Sequence, residues 1–275
     1  MANHSAIDVS ARLDFAVKIA HEAGDTTLRY FRRDDLQVER KADQSPVTVA
    51  DRAAEELLRQ RIATAFPQDA VLGEEFGPQA GTSGFQWVLD PIDGTKSFIH
   101  GVPLYTTLVA VLKDDRPCLG VIHTPAIGET VYAQTGCGCW WIAGGDSSPK
   151  PARVSNVSRL NESLLLTTDI AAFSTCRETD ATEIYLRLQR EARYARTWGD
   201  GYGYLMVATG RAEVMIDPVV NLWDAAPLQT VVEEAGGHFS DWQGQRTVHA
   251  GEAIATNGRV INEVLAITRT RTRTG

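Results

Sequence analysis

The beginning of the chain is patterned for helices. Between residues 8 and 31, Leu13, Ala16, Val17, Ala20, Gly24, Leu28 and Phe31 recur at spacings of three and four, the period of one buried helix face. A second helix is predicted from about Val49 to Phe66, with Ala53, Leu57, Ile62 and Phe66 on its apolar side, Pro46 ahead of it and Pro67 behind it. Short apolar runs follow at 70–73, 86–90, 104–113 and 116–124, and Lys113-Asp-Asp-Arg-Pro117 between the last two is a hairpin signal. Further strands are expected at 129–134 and 138–142. Turn formers crowd Gly144 to Pro151, which divides the chain into halves 1–146 and 147–275. Beyond that point strands at 163–168, 195–198, 212–216 and 253–257 alternate with helices at about 178–194, 201–210, 224–236 and from 259. This order predicts an α/β fold class, with an α+β N-terminal half and an α/β C-terminal half.

Composition narrows the function more than the fold. With 43% hydrophobic and 23% charged residues in 275, the chain can bury a substantial core and is not disordered. A formal net charge of -8 argues against nucleic acid as the main partner, although cations could still mediate contact with a phosphate ester. No apolar run approaches the roughly 20 residues of a membrane span, so no membrane partner is expected. Met1-Ala-Asn-His-Ser5 is not a basic stretch followed by an apolar one, and the expected location is cytoplasmic. Cys137 and Cys139 have no second pair at zinc spacing; Cys118 and Cys176 are expected to be buried or semi-buried thiols. The basic tail Thr268-Arg-Thr-Arg-Thr-Arg-Thr-Gly275 reads as a frayed end or, less simply, as a contact for an anionic partner.

The chemistry concentrates in Trp87-Val-Leu-Asp90-Pro-Ile-Asp93-Gly94-Thr95-Lys96. Pro91 fixes one torsion and has no N–H, so the chain turns sharply as it leaves the strand, and both carboxylates can converge. Gly94 permits close backbone approach, and the N–H groups of Gly94 and Thr95 can face an anion. Carboxylates that gather hard cations, beside amides that gather phosphate, describe a metal-assisted phosphate site. Other acids also flank structural breaks: Glu74-Glu75 after a short apolar run, and Asp224 at the start of a predicted helix. Taken singly, Asp224 reads as a first-turn acid, Glu74 and Glu75 as a solvated loop, and Asp90 and Asp93 as turn residues. Their joint occurrence around a Gly-Thr weakens those readings together.

The ordered motifs Ser45-Pro-Val-Thr48 with Asp51, Gly73-Glu74-Glu75, Asp90 to Thr95, Trp223-Asp-Ala-Ala226 and Glu234-Ala-Gly-Gly237 resemble the inositol monophosphatase family, over about residues 8 to 265. The resemblance implies the layered α-β-α-β-α sandwich of the superfamily shared with fructose-1,6-bisphosphatase, and a homodimer. It implies two to three Mg²⁺ ions held by Glu74, Asp90, the Ile92 carbonyl, Asp93 and Asp224. It also implies that Thr95 and Asp51 orient and deprotonate the attacking water, with Glu74 serving catalysis beside them. Phosphate oxygens would meet Gly94 and Thr95, and Li⁺ would inhibit.

Lys96-Ser97-Phe98, Gly101-Val-Pro-Leu-Tyr105 and Arg196-Thr-Trp-Gly-Asp200-Gly-Tyr202 resemble the branch of that family acting on histidinol phosphate, a late step of histidine synthesis. Thr106 departs from a common Gly, and Gly201 from a frequent Cys, which puts fine pocket geometry in doubt. The substrate-binding set expected from the resemblance is Glu74, Ile92, Asp93, Gly94, Thr95, Arg196, Asp200, Asp217 and Asp224. Asp200 and Asp217 would face the ammonium and imidazole of such a ligand; otherwise Asp200 caps a helix and Asp217-Pro218 makes a turn. His100 and His123 are not required as acids, and Lys96 is expected in a surface pair. An inositol or other small alcohol phosphatase is the alternative, and a non-catalytic phosphate-binding regulator the remote one.

Overall fold

The computed structural model describes residues 2–146, 148–177 and 179–269, with side chains from Val9 onward. The elements in order are α1 (Ala2–Leu28), β1 (Val38–Arg40), β2 (Pro46–Thr48), α2 (Val49–Ala65), β3 (Ala70–Gly73), β4 (Gly77–Gln79), β5 (Phe85–Asp93) and α3 (Thr95–Ile99). There follow β6 (Thr106–Lys113), β7 (Arg116–Thr124), β8 (Glu129–Gln134), β9 (Gly138–Ile142) and β10 (Lys150–Pro151). The remainder comprises β11 (Leu164–Leu166), α4 (Ala172–Thr175), α5 (Thr182–Glu191), β12 (Tyr194–Arg196), α6 (Asp200–Ala208), β13 (Val214–Asp217), α7 (Leu222–Glu234), β14 (His238–Ser240), β15 (Ala253–Thr256) and α8 (Ile261–Thr268).

Two sheets organise the chain. The first has eight strands in the order β10-β9-β8-β7-β6-β5-β3-β4, antiparallel except for the β3–β5 pair. The second has five, β12-β11-β13-β15-β14, with β11 parallel to both β12 and β13. Successive side chains of a strand point to opposite faces, so each sheet serves two cores. Trp87, Leu89, Val109 and Val111 pack against α1 and α2, while Val88, Leu108, Ala110 and Leu112 face α6 and α7. The far side of that inner helical layer meets Met215, Phe239, Ala253 and Ala255, and the outer face of the second sheet packs Val214, Ile216 and Ile254 on α5 and α8. The outcome is the layered α-β-α-β-α sandwich. Burial on both faces also explains why these strands read as unbroken apolar runs. Among the described residues no helix is long and apolar enough to cross a membrane.

The long elements lie where the apolar pattern puts them, within about four residues at each end, except that α1 begins at Ala2, six residues before the patterned stretch. The helix expected over 178–194 is shorter, Thr182–Glu191, because Asp180 Oδ1 accepts the Thr182 N–H at 2.8 Å and starts the helix there. The β1–β2 hairpin, β4, β10, α3, α4 and β14 have no counterpart in the predicted pattern; with two to five residues each, they are too short to show a period. Cys118 is half-buried as expected, but Cys176 is exposed, because it follows α4 on the surface. Of the basic tail, residues 270–275 lie outside the described residues.

Candidate active site

The site forms where β5 ends. In a regular strand residues three apart face opposite ways. Here Asp90 pairs with Leu108 and Asp93 with Thr106, three steps on β5 against two on β6. The extra residue is a β-bulge, which restores Asp93 to the side of Asp90. Pro91, with no N–H to lose, suits this interruption. Asp90 Oδ1 accepts the Ile92 N–H at 3.0 Å and closes the turn.

The carboxylate of Asp224, in the first turn of α7, completes the cluster. One oxygen from each of Asp90, Asp93 and Asp224 lies within 4.8 Å of the others. Burial first, and then the charges of Glu74, Asp93 and Asp224, push the Asp90 carboxyl well above the usual range. Asp93 is pushed up to about 6 by burial, and Asp224 to about 8 by burial and then by Asp93. Two buried acids and a half-buried one in mutual repulsion, offering hard oxygen donors, are a fitting nest for Mg²⁺.

A common design holds these acids. Asp93 Oδ2 accepts from the Thr106 hydroxyl at 2.7 Å and from the Gly201 N–H. Asp224 Oδ2 accepts the Asn221 N–H at 2.7 Å, so the capping role and the cluster role coexist. Asp51 divides its oxygens likewise: Oδ2 accepts Thr48 N–H at 2.8 Å and its hydroxyl at 2.6 Å, closing a capping box on α2. Its Oδ1 faces Thr95 Oγ1 at 3.5 Å, while that hydroxyl also donates to the Ile92 carbonyl at 3.1 Å. Burial raises the Asp51 carboxyl, which strengthens it as a base.

Glu74 stands at the edge of this group. Its Oε1 takes a 2.8 Å hydrogen bond from Lys41 Nζ, which also donates to Glu75 Oε1 at 2.6 Å. Burial works against the Lys41 ammonium, but the two glutamates outweigh it and hold it above its ordinary value. Glu75 is pushed up to about 7 by burial. Beneath the turn, fully buried Glu55 accepts the N–H groups of Glu75 at 2.7 Å and Phe76 at 3.2 Å. A Cβ on Gly73 would sit 2.1 Å from Glu55 Oε1, so glycine is required for that approach.

A small cavity of about 70 Å³ opens beside the cluster, lined in part by Asp93, Asp200, Gly201, Asp217, Val219 and Asp224. Asp217 is buried and held by Thr168 N–H at 2.9 Å and Tyr204 hydroxyl at 3.0 Å. Asp200 opens α6 at a φ of 52°, in the left-handed region that Asp tolerates, with its N–H on Thr168 Oγ1 at 2.8 Å. Its Oδ2 overhangs Gly94, lying 2.7 Å from where a Cβ there would be. Burial, then Asp93, Asp217 and Asp224, push the Asp200 carboxyl well up; burial raises Asp217.

The inositol monophosphatase family profile matches residues 8–273. The chain belongs to the inositol monophosphatase family. It is 40% identical to the histidinol-phosphatase of Chlorobaculum parvum over 257 residues, 93% of this chain and 96% of that one. It is 37% identical to the Mycobacterium tuberculosis histidinol-phosphatase, over 92% and 96% of the two chains. Among solved structures, an inositol monophosphatase from Zymomonas mobilis superposes with a TM-score of 0.81 at 29% identity, over 95% and 98%. The chain is a phosphatase of this family.

Within this inositol monophosphatase fold, most residues anticipated from the motifs gather at one place, and a few do not. Arg196 is exposed, does not line the cavity, and donates from Nη1 to the Ala195 carbonyl at 2.7 Å. Lys96 pairs with Asp169 at 3.5 Å on the surface. His100 is exposed; His123 is buried, stacked on His21 at 4.3 Å between centroids. Sequence reasoning missed Lys41, Glu55, Thr106 as a donor, and Thr168. Only Thr106 left a trace, as a departure from the family pattern.

Proposed function

We propose that this phosphatase hydrolyses L-histidinol phosphate to L-histidinol and phosphate, with Mg²⁺ held by Asp90, Asp93, Asp224, the Ile92 carbonyl and Glu74. The observation that carries the reading is the cavity in which the acid cluster runs on into Asp200 and Asp217. A ligand with a phosphate at one end and a cationic amine at the other complements such a site, because buried acids need a counter-charge. A polyol phosphate offers only neutral hydroxyls there. The naming of the relatives at 37% and 40% identity supports the same choice.

Mg²⁺ would supply charge compensation for the phosphoryl oxygens and the leaving alkoxide. Asp90, Asp93 and Asp224 would hold it, each through an oxygen not consumed by the protein's own donors. Thr95 and Asp51 would orient the attacking water and take its proton, Thr95 as relay and buried Asp51 as final acceptor. The N–H groups of Gly94 and Thr95 would receive phosphate oxygens. Asp200 and Asp217 would meet the amine and the imidazole. A homodimer in the cytoplasm, sensitive to Li⁺, belongs to the same proposal.

The deciding experiment compares kcat/KM for histidinol phosphate and inositol 1-phosphate, with and without Mg²⁺. A higher value for histidinol phosphate, lost on chelation, is the expected result. A higher value for inositol 1-phosphate would overturn the substrate and favour the second reading, to which the likeness to the Zymomonas mobilis inositol monophosphatase lends support.

A further inference from the structure

Thr106 opens β6 with its side chain fully buried, directly across from Asp93. Its hydroxyl and the Gly201 N–H both donate to Asp93 Oδ2, and among the described residues no donor reaches Oδ1. A carboxylate oxygen has about two lone-pair sites, so this pair of donors fills Oδ2. Asp93 is thus held through one oxygen, from a strand and from the start of a helix in the other half of the chain.

The residue at 201 is adapted to that hydroxyl. A Cβ there would lie 2.4 Å from Thr106 Oγ1 and 2.7 Å from Asp93 Oδ2. Gly201 does not have a positive φ, so its backbone could belong to any residue. Room, not conformation, demands glycine. The two positions fill one space between them: a hydroxyl from 106 leaves none for a side chain from 201.

We propose that Thr106 is a positioning residue for the cation site: with the Gly201 N–H it clamps Asp93 Oδ2 and presents Oδ1 as a one-oxygen ligand. This rests on the reading of the Asp90, Asp93 and Asp224 cluster as a cation site. Without the clamp Asp93 can swivel, and its second oxygen competes for the ion or for its neighbours' donors. Partners of this kind, one bond behind a ligand, typically change metal affinity about 10- to 100-fold.

The test titrates Mn²⁺ alone into chelator-treated protein by calorimetry and records the cation-free melting temperature of each variant. Thr106→Val is expected to weaken Mn²⁺ binding about tenfold or more, and Thr106→Ser to bind close to wild type. Gly201→Ala is expected to lose melting temperature through the clash. The double change Thr106→Gly with Gly201→Ala removes the closest clash, so it should regain part of that melting temperature yet bind Mn²⁺ as weakly as Thr106→Val. Wild-type affinity in folded Thr106→Val overturns the proposal, as does full recovery of affinity in the double variant. A wild-type protein that binds no Mn²⁺ sinks this proposal and the metal-dependent function together. One that binds Mn²⁺ but hydrolyses neither ester sinks only the function.

Discussion

The acid cluster makes the cation-free protein lose stability as pH rises. Asp224, pushed up to about 8, keeps its proton when folded at pH 7, whereas the unfolded chain has already lost it. A raised folded-state value contributes stability that is complete below the unfolded value and disappears as pH climbs through the folded one. One proton is worth about 1.4 kcal/mol per pH unit, and titration centred on 8 sheds close to one such unit between pH 7 and 8.5, about 1 kcal/mol. Asp90 and Asp200, also raised by burial, add loss of the same sign. His123, lowered to about 3 by burial, favours the folded state as pH rises toward the ordinary histidine value and contributes nothing above it. For a chain of this size the loss corresponds to a melting temperature lower by about 2–4 °C. The assay is thermal unfolding by circular dichroism from pH 7 to 8.5, in chelator and in Mg²⁺. The decline should be steeper in chelator than in Mg²⁺, since a cation holds Asp90, Asp93 and Asp224 ionised in the folded state over this window. Asp224→Asn in chelator should show a shallower slope. A cation-free melting temperature that rises with pH over this window would refute the reasoning.

Other outcomes follow from the same geometry. Arg12→Leu strands the buried Asp69, which Arg12 engages at 2.8 and 2.9 Å, and is expected to cost about 3–5 kcal/mol by urea unfolding; a loss below 1 kcal/mol would show that Ser83 and Trp87, its other donors, suffice. Gly120→Ala places a Cβ 2.3 Å from the Pro227 carbonyl oxygen and should cost about 1–3 kcal/mol by displacing α7 from β7. Because α7 carries Asp224, Mn²⁺ affinity should fall with it, and unchanged affinity would separate the two. Asp200→Asn should raise KM for histidinol phosphate while sparing inositol 1-phosphate; an equal effect on both would remove Asp200 from substrate selection.

How much of this was legible beforehand depends on what each residue's role rests on. The long strands and helices show in the apolar pattern because each buries a face or two. Asp90, Asp93, Asp224 and Glu74 were marked by their positions at breaks in that pattern. Nothing local marked Glu55 or Lys41, and Thr106 stood out only as a departure from the family pattern, because their roles exist only across the fold: α2 to the turn after β3, the β1–β2 hairpin to the same turn, and β6 to β5. Arg196 shows the converse. Its motif suggested a ligand contact, but an exposed edge strand and a bond to the adjacent carbonyl occupy it instead.

The bulge between Asp90 and Asp93 has a consequence for how this site can be broken. A substitution scan tests side chains one at a time, yet what unites these two acids is a count of residues. Any change that let β5 run on against β6 in plain register, with its length unchanged, would leave every acid in the chain. Asp93 would then turn toward the opposite core, away from Asp90 and Asp224. In this part of the chain, losing one irregularity of the backbone is more damaging than most changes of letter.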